Sequence, residues 1–241
     1  MSNPSRFGLL LVLLLLAVHP AVDARTAAAA SPSDLIAGVQ KRYGRLHSLE
    51  FDFTQVTLTS GRTREGRGQA VFYRPAHDTG AAKEENGGVI RWNYAEPTEQ
   101  TIVNDGREVS IYTPRDKQLL VTPASEMEAD VTYSMFTGAR GLQDEFEASP
   151  ADPLFLLTPS QAGTTAVKLT PRRPQSQVKR IQLWLDGDQG IHRILMEDHF
   201  GALTELTFTN IRFNGLRPND AGQAQTLRRL DLAPGTETIR Q

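Results

Sequence analysis

From Leu49 onward apolar and polar residues alternate with a period of two, and the alternation recurs over most of the remaining chain. Such a pattern puts one set of side chains on each face of a strand. It marks eleven candidate strands: Leu49–Thr59, Glu65–Tyr73, Val89–Tyr94, Gln100–Asn104, Glu108–Thr113, Gln118–Thr122, Ala166–Thr170, Val178–Leu185, Ile191–Glu197, Leu203–Phe213 and Leu227–Leu232. Several are joined by turn chemistry. Asp105-Gly106 separates Thr101-Ile102-Val103 from Val109-Ser110-Ile111, and Asp186–Gly190 joins another pair. Sequential hairpins make an antiparallel meander. One this long must curl, either closing on itself or having its concave face covered. No repeat and no linker divides it, so residues 25–241 are expected to form one mainly β domain. One stretch, Pro123–Thr165, lacks the alternation and carries helix-like pieces; at that length it is expected to be a lid or cover.

Two segments precede the strands. Arg6 stands before an apolar run from Phe7 to Val18, and Ala21-Val22-Asp23-Ala24 follows. A positive start, a short apolar centre and small residues before a cut are the parts of a secretory signal peptide, here residues 1–24 with a second candidate cut near Ala30. The run is shorter than a spanning helix requires. Next, Ser31-Pro32-Ser33-Asp34 reads as a helix start, with a capping serine, proline in the first turn and an acid at the positive end of the dipole. Ile36, Val39, Tyr43 and Leu46 follow as one apolar stripe that must dock on something.

The alternation also assigns faces. In the second strand Arg67 and Gln69 define the wet face, so Gly68, Ala70, Phe72 and Arg74 point inward. In the third, Arg91 and Asn93 face water, with Ile90, Trp92 and Tyr94 inward. In the fifth, Val109 and Ile111 point in while Glu108, Ser110 and Tyr112 point out. In the eighth, Ile181, Leu183 and Leu185 point in while Arg180 and Gln182 point out. The inner face is thus aliphatic and aromatic. Gly68 and Ala70 either leave volume there or let a helix approach. Trp92 is plain core or a ligand wall. Arg74, just before Pro75, is a rim guanidinium or a solvated strand end. Met135 and Phe136, in an apolar helical piece of the cover, are core or lid.

Catalytic and metal signatures are missing from the sequence. The chain has no cysteine, which removes disulfide frameworks, thiolate metal sites and cysteine nucleophiles. It also excludes a lipidated N-terminal cysteine. Lys and Arg number 26 against 28 Asp and Glu, a net charge of −2, without the basic excess of a nucleic-acid binder. His47, His77, His192 and His199 form no His-Glu-x-x-His or related pattern. No Gly-x-Ser-x-Gly elbow and no phosphate-cradling glycine loop occurs. The acids Glu126, Glu128 and Asp130, spaced two apart, read as a solvated face, and Glu84-Glu85 with His77 and Asp78 as a polar loop. The expectation is a protein that is not an enzyme and needs no cofactor.

An ordered set of short motifs runs along the chain: Phe51-Asp52-Phe53-Thr54-Gln55, Glu65-Gly66-Arg67-Gly68, Tyr73-Arg74-Pro75, Arg91-Trp92-Asn93-Tyr94 and Glu96-Pro97-Thr98-Glu99-Gln100. Then come Val103-Asn104-Asp105-Gly106, Tyr112-Thr113-Pro114, Leu169-Thr170-Pro171, Phe200-Gly201, Phe208-Thr209-Asn210 and Pro234-Gly235. In this order the set resembles the periplasmic lipoprotein carrier family of the LolA type. The resemblance implies an open, incompletely closed antiparallel barrel of about eleven strands with a helical lid. Its cavity would shelter lipoprotein acyl chains in the periplasm of a Gram-negative envelope. It implies cargo taken from an inner-membrane ABC-type releasing complex and delivered to the outer membrane, often to an acceptor lipoprotein, by a monomeric carrier.

Carried over residue by residue, Arg74 matches the arginine that holds the family's lid shut. Trp92 matches the cavity tryptophan, Ile90 stands where an aromatic is frequent, and Met135 and Phe136 match the lid helix. With the inward residues Phe72, Val109 and Ile111 they make the expected cavity wall. Two departures stand out: a polar, glycine-rich Ala76–Gly88 segment between Arg74 and Trp92, expected to be a surface excursion, and Ser110 where an aromatic is common. A lipid-sensing envelope regulator, or a glycolipid-binding protein on the same barrel, is the alternative the sequence leaves open.

Overall fold

The capping expectation at Ser31 holds in atomic detail. Its hydroxyl accepts from the Asp34 amide at 3.2 Å, and its own amide donates to the Asp34 carboxylate at 3.3 Å, closing a reciprocal capping box. Helix α1, Pro32–Tyr43, buries Ile36, Val39 and Tyr43. The structure is a computed structural model. It describes residues 30–74, 88–105, 107–123, 132, 135–136, 141–159, 162–175 and 178–241. The expected signal peptide, most of Ala76–Gly88 and the acids Glu126, Glu128 and Asp130 lie outside the described residues.

Twelve strands form one sheet. They are β1 Ser48–Thr59, β2 Arg62–Tyr73, β3 Val89–Glu96, β4 Gln100–Asn104, β5 Glu108–Thr113, β6 Gln118–Pro123, β7 Phe146–Pro150, β8 Thr165–Pro171, β9 Arg180–Leu185, β10 Ile191–Glu197, β11 Leu203–Phe213 and β12 Glu237–Arg240. Their spatial order is β12-β6-β5-β4-β3-β2-β1-β11-β10-β9-β8-β7. Every pairing is antiparallel except β12 with β6. The outermost strands β12 and β7 do not pair with each other, so the sheet curls without closing. Helix α1 and the short α2, Leu142–Glu145, pack at the β7–β8 side of the concave face. The fold is the expected open, mainly β barrel with helical cover.

Three elements differ from the sequence expectation. Leu227–Leu232 is not a strand. Asp220 caps a helix there by accepting from the Gln223 amide at 3.0 Å, and α3, Ala221–Arg228, buries Ala224 and Leu227 one turn apart. Within Pro123–Thr165, Phe146–Pro150 is strand β7 and anchors one sheet edge by burying Phe146. Its small alternating residues, Ala148 and Ser149, carry too weak a hydrophobic signal to stand out. At the other edge β12 is exposed throughout, so it has no buried face to betray it.

The convex face is covered in two places, and there the expected wet positions are buried. On one side α3 lies over Tyr73, Val89 and Val103. Arg91 reaches under the following chain and donates to the Leu227 and Arg229 carbonyls at 3.2 and 2.7 Å. Tyr112 is 5% exposed instead of solvated, packed with Leu119, Val121 and Leu230. On the other side Phe155 and Leu157 cover Trp184 and Leu195. Gln182, expected to face water, is 1% exposed beneath that segment. It donates to the Asp152 and Phe155 carbonyls and accepts from the Asp152 amide, so the burial leaves its amide group satisfied.

Candidate functional site

The concave face is built from register. Phe51 pairs with Ala70, which pairs with Trp92, and Phe53 pairs with Gly68 opposite Tyr94. Cross-strand partners share a face, so the rings of β1 and β3 meet over small residues of β2. Phe51 lies 5.6 Å from Trp92 and 4.7 Å from Phe208, while Phe53 lies 5.1 Å from Trp92 and 4.9 Å from Tyr94. These spacings are those of favourable tilted and edge-to-face ring pairs.

Phe136 completes the cluster. Thr132, Met135 and Phe136 are helical, and Met135 and Phe136 are buried. The Phe136 ring stands 5.3 Å from Phe51, 5.7 Å from Phe208, 5.8 Å from Tyr43 and 6.4 Å from Trp92. A single side chain of the cover therefore touches α1, β1, β3 and β11 at once. Burial pushes the Tyr43 phenol well above its ordinary range, and its oxygen accepts from the Ile191 amide at 2.9 Å.

Of the expected wall residues, Phe72, Ile90, Trp92, Met135 and Phe136 belong to this one cluster. Val109 and Ile111 share its face, as Val109 pairs with Asn104 opposite Ile90 and Ile111 pairs with Ile102 opposite Trp92. They lie two strands farther along the sheet and are not among the residues packed around Phe136. Sequence reasoning missed Phe51, Phe53 and Phe208. Their alternation with Asp52, Thr54 and Thr207 was the available signal.

Gly68 does not leave room. A Cβ placed there would lie 2.0 Å from the Asn93 carbonyl oxygen and 2.9 Å from the Phe53 ring. The residue marks a register shift between β2 and β3, where two backbones and a ring converge. Arg74 follows the last residue of β2 and is half-buried. Its amide donates to the His47 carbonyl at 2.7 Å, and its guanidinium lies 5.3 Å from the centre of the Phe72 ring. That places it at the rim of the apolar face, beside the start of β1.

Titratable groups lie apart from this face or serve the frame. His47 Nε2 is 2.8 Å from the Leu216 carbonyl, and His192 Nε2 is 3.0 Å from Asp186. At Glu197, burial that would raise the pKa is outweighed by hydrogen bonds from Lys179 and Arg180, which lower it. Among the described residues no group of three His, Asp or Glu side chains could hold a metal ion.

Residues 45–221 match the family described as outer membrane lipoprotein carrier protein LolA. The chain belongs to that family. A relative from Bordetella avium, named an outer-membrane lipoprotein carrier protein, is 26% identical over 85% of this chain and 86% of its own length. A relative of the same name from Hahella chejuensis is 30% identical over 77% of this chain and 83% of its own. A solved structure, a LolA superfamily protein from Nitrosomonas europaea, aligns over 78% of this chain and 96% of its own at 14% identity and a TM-score of 0.36.

Proposed function

We propose that this protein is a periplasmic carrier that shelters lipoprotein acyl chains on its concave face, taking them from an inner-membrane ABC-type releasing complex and delivering them to the outer membrane. The observation that carries this is the aromatic face of Phe51, Trp92 and Phe208 beneath a single ring of the cover, Phe136. An acyl chain gains about 0.8 kcal/mol per CH₂ removed from water. It can therefore replace Phe136 and Met135 in contact with the same rings. Nothing in that exchange makes or breaks a covalent bond, so the task asks for no catalyst. Phe72, Ile90 and Trp92 form the inner wall, with Val109 and Ile111 extending it along the sheet.

Arg74 is the gate in this account. A guanidinium offers five donors in a fixed fork, and helix ends in general leave backbone carbonyls that can accept from it. Each such bond contributes about 0.5–1.5 kcal/mol net, enough in combination to bias the cover shut without making it permanent. Arg74→Leu is expected to load lipoprotein normally and deliver it several-fold more slowly, while Arg74→Lys keeps part of the activity because it retains charge without the fork. The test is transfer from purified, loaded carrier to outer-membrane acceptor. Transfer by Arg74→Leu at the wild-type rate would remove Arg74 from the mechanism. Mass spectrometry of the natively purified protein tests the cargo class: triacylated lipoprotein supports the carrier, whereas free glycolipid supports a glycolipid-binding role.

A further inference from the structure

The aromatic face continues toward the β1–β2 turn, and its character changes there. On β1 the residues that follow Phe51 and Phe53 on the same face are Gln55, Thr57 and Thr59. Their partners on β2 are Gly66, Arg64 and Arg62, in unbroken register. Tyr94 donates to the Gln55 side chain at 3.0 Å, and Gln55 donates to Thr57 at 3.2 Å, so a polar ladder leads outward from the rings. It ends in a cavity of about 440 Å³ lined by Thr57, Thr59, Ser60, Arg62 and Arg64.

Two observations at this end are independent of each other. The first is charge. Arg62 and Arg64 are exposed, and among the described residues neither makes an ion pair or a side-chain hydrogen bond. Neighbouring Arg67, which points to the opposite face, is paired with Glu96 at 2.6 Å. The second is backbone. Strand β3 pairs with β2 only from Arg67 to Tyr73, so from Arg62 to Glu65 the edge of β2 that faces away from β1 has no strand beside it among the described residues. An open edge offers main-chain donors and acceptors to any extended chain laid along it.

We propose that this edge receives the peptide that follows the acylated residue of the cargo, as an added strand, and that Arg62 and Arg64 select acidic segments. The inference rests on the carrier reading and names a further part of its substrate. Arg64 lies six residues from Ala70, the partner of Trp92, a distance of about 20 Å along the strand. An acyl chain lying on the rings can thus leave its polar attachment at the cationic end. The open edge favours an extended peptide over a compact lipid headgroup, because a headgroup has no backbone to pair with it. Two guanidiniums two residues apart on one face suit carboxylates that alternate along such a peptide.

The test titrates the purified mature protein with two synthetic triacylated lipopeptides, one with a run of glutamates after the acylated cysteine and one with lysines. Binding is read at low salt from the change in tryptophan fluorescence on adding lipopeptide, Trp92 lying on the aromatic face and Trp184 in a separate buried cluster. The glutamate lipopeptide is expected to bind about tenfold tighter, a margin built from exposed ion pairs and therefore lost at high salt. In the double variant Arg62→Gln, Arg64→Gln the two lipopeptides should bind alike, with the affinity for the lysine form no weaker than in the wild type. Amide exchange at Arg62–Glu65 should slow when the glutamate lipopeptide is added. Equal affinities in the wild type, or a preference that survives the double substitution, overturns the proposal and leaves the arginines as guards against edge-to-edge aggregation. Slowed binding of phosphatidylglycerol in the double variant, with lipopeptides unaffected, assigns the arginines to a headgroup and also overturns it. Failure of both lipopeptides to bind would instead overturn the carrier reading itself.

Discussion

Phe136→Ala is expected to bind acyl chains about tenfold more tightly than the wild type and to hand them on less readily. This ring touches Tyr43, Phe51, Trp92 and Phe208, the surfaces an acyl chain would occupy. Its burial stabilises the covered state by about 2–3 kcal/mol, and cargo must displace it. Alanine removes that competitor, so more of the binding free energy appears as affinity. Release then suffers, because the ring that would re-enter as cargo leaves is gone. Titration with a fluorescent long-chain fatty acid, alongside a transfer assay, separates the two effects. An unchanged affinity combined with the full stability loss of a buried Phe→Ala substitution, about 3–5 kcal/mol in urea unfolding, would mark Phe136 as ordinary core.

Gly68→Ala is expected to destabilise the protein by about 3 kcal/mol, a large loss for one methyl group. The added carbon would fall 2.0 Å from the Asn93 carbonyl oxygen, which is backbone and cannot swing aside. Relief requires β2 and β3 to separate where Phe53 and Tyr94 meet, so the inner face is disturbed along with the sheet. Gly187→Ala is the control, since nothing lies within 4 Å of a Cβ there. Urea unfolding of the two variants should differ several-fold in lost free energy. Equal losses would show that β2 and β3 yield at the register shift.

Much of this was open to a reader of the sequence, and the failures have a common physical origin. Alternation placed Phe72, Ile90 and Trp92 on one face correctly, because a hairpin register carries parity from strand to strand. It did not reveal that the opposite face is also covered at Gln182 and Tyr112. The covering residues, Phe155 and Leu230, come from segments distant in sequence, and period two says only that faces differ. Leu230 and Leu232 alternate as in a strand and draw Leu227–Leu232 toward that reading, whereas Leu227 belongs with Ala224 on one face of α3. At Gly68 the sequence leaves open either spare volume or a closely approaching helix; in the fold it marks where Phe53 and the β3 backbone come too close for any side chain. The role of Phe136 was the least legible, since its neighbours come from α1, β1, β3 and β11.

The central claim is that cargo lies on the concave face, against the rings now covered by Phe136. Adjacent residues of β4 test it directly. Ile102 pairs with Trp92 and faces the barrel interior, while Thr101 pairs with Asn93 and faces the other way. A photo-crosslinking amino acid at each position, in carrier loaded with acylated lipoprotein, reads which face meets the acyl chains. The account predicts crosslinks to cargo from position 102 and none from position 101. Crosslinks from 101 alone, or equal yields from both, would contradict it.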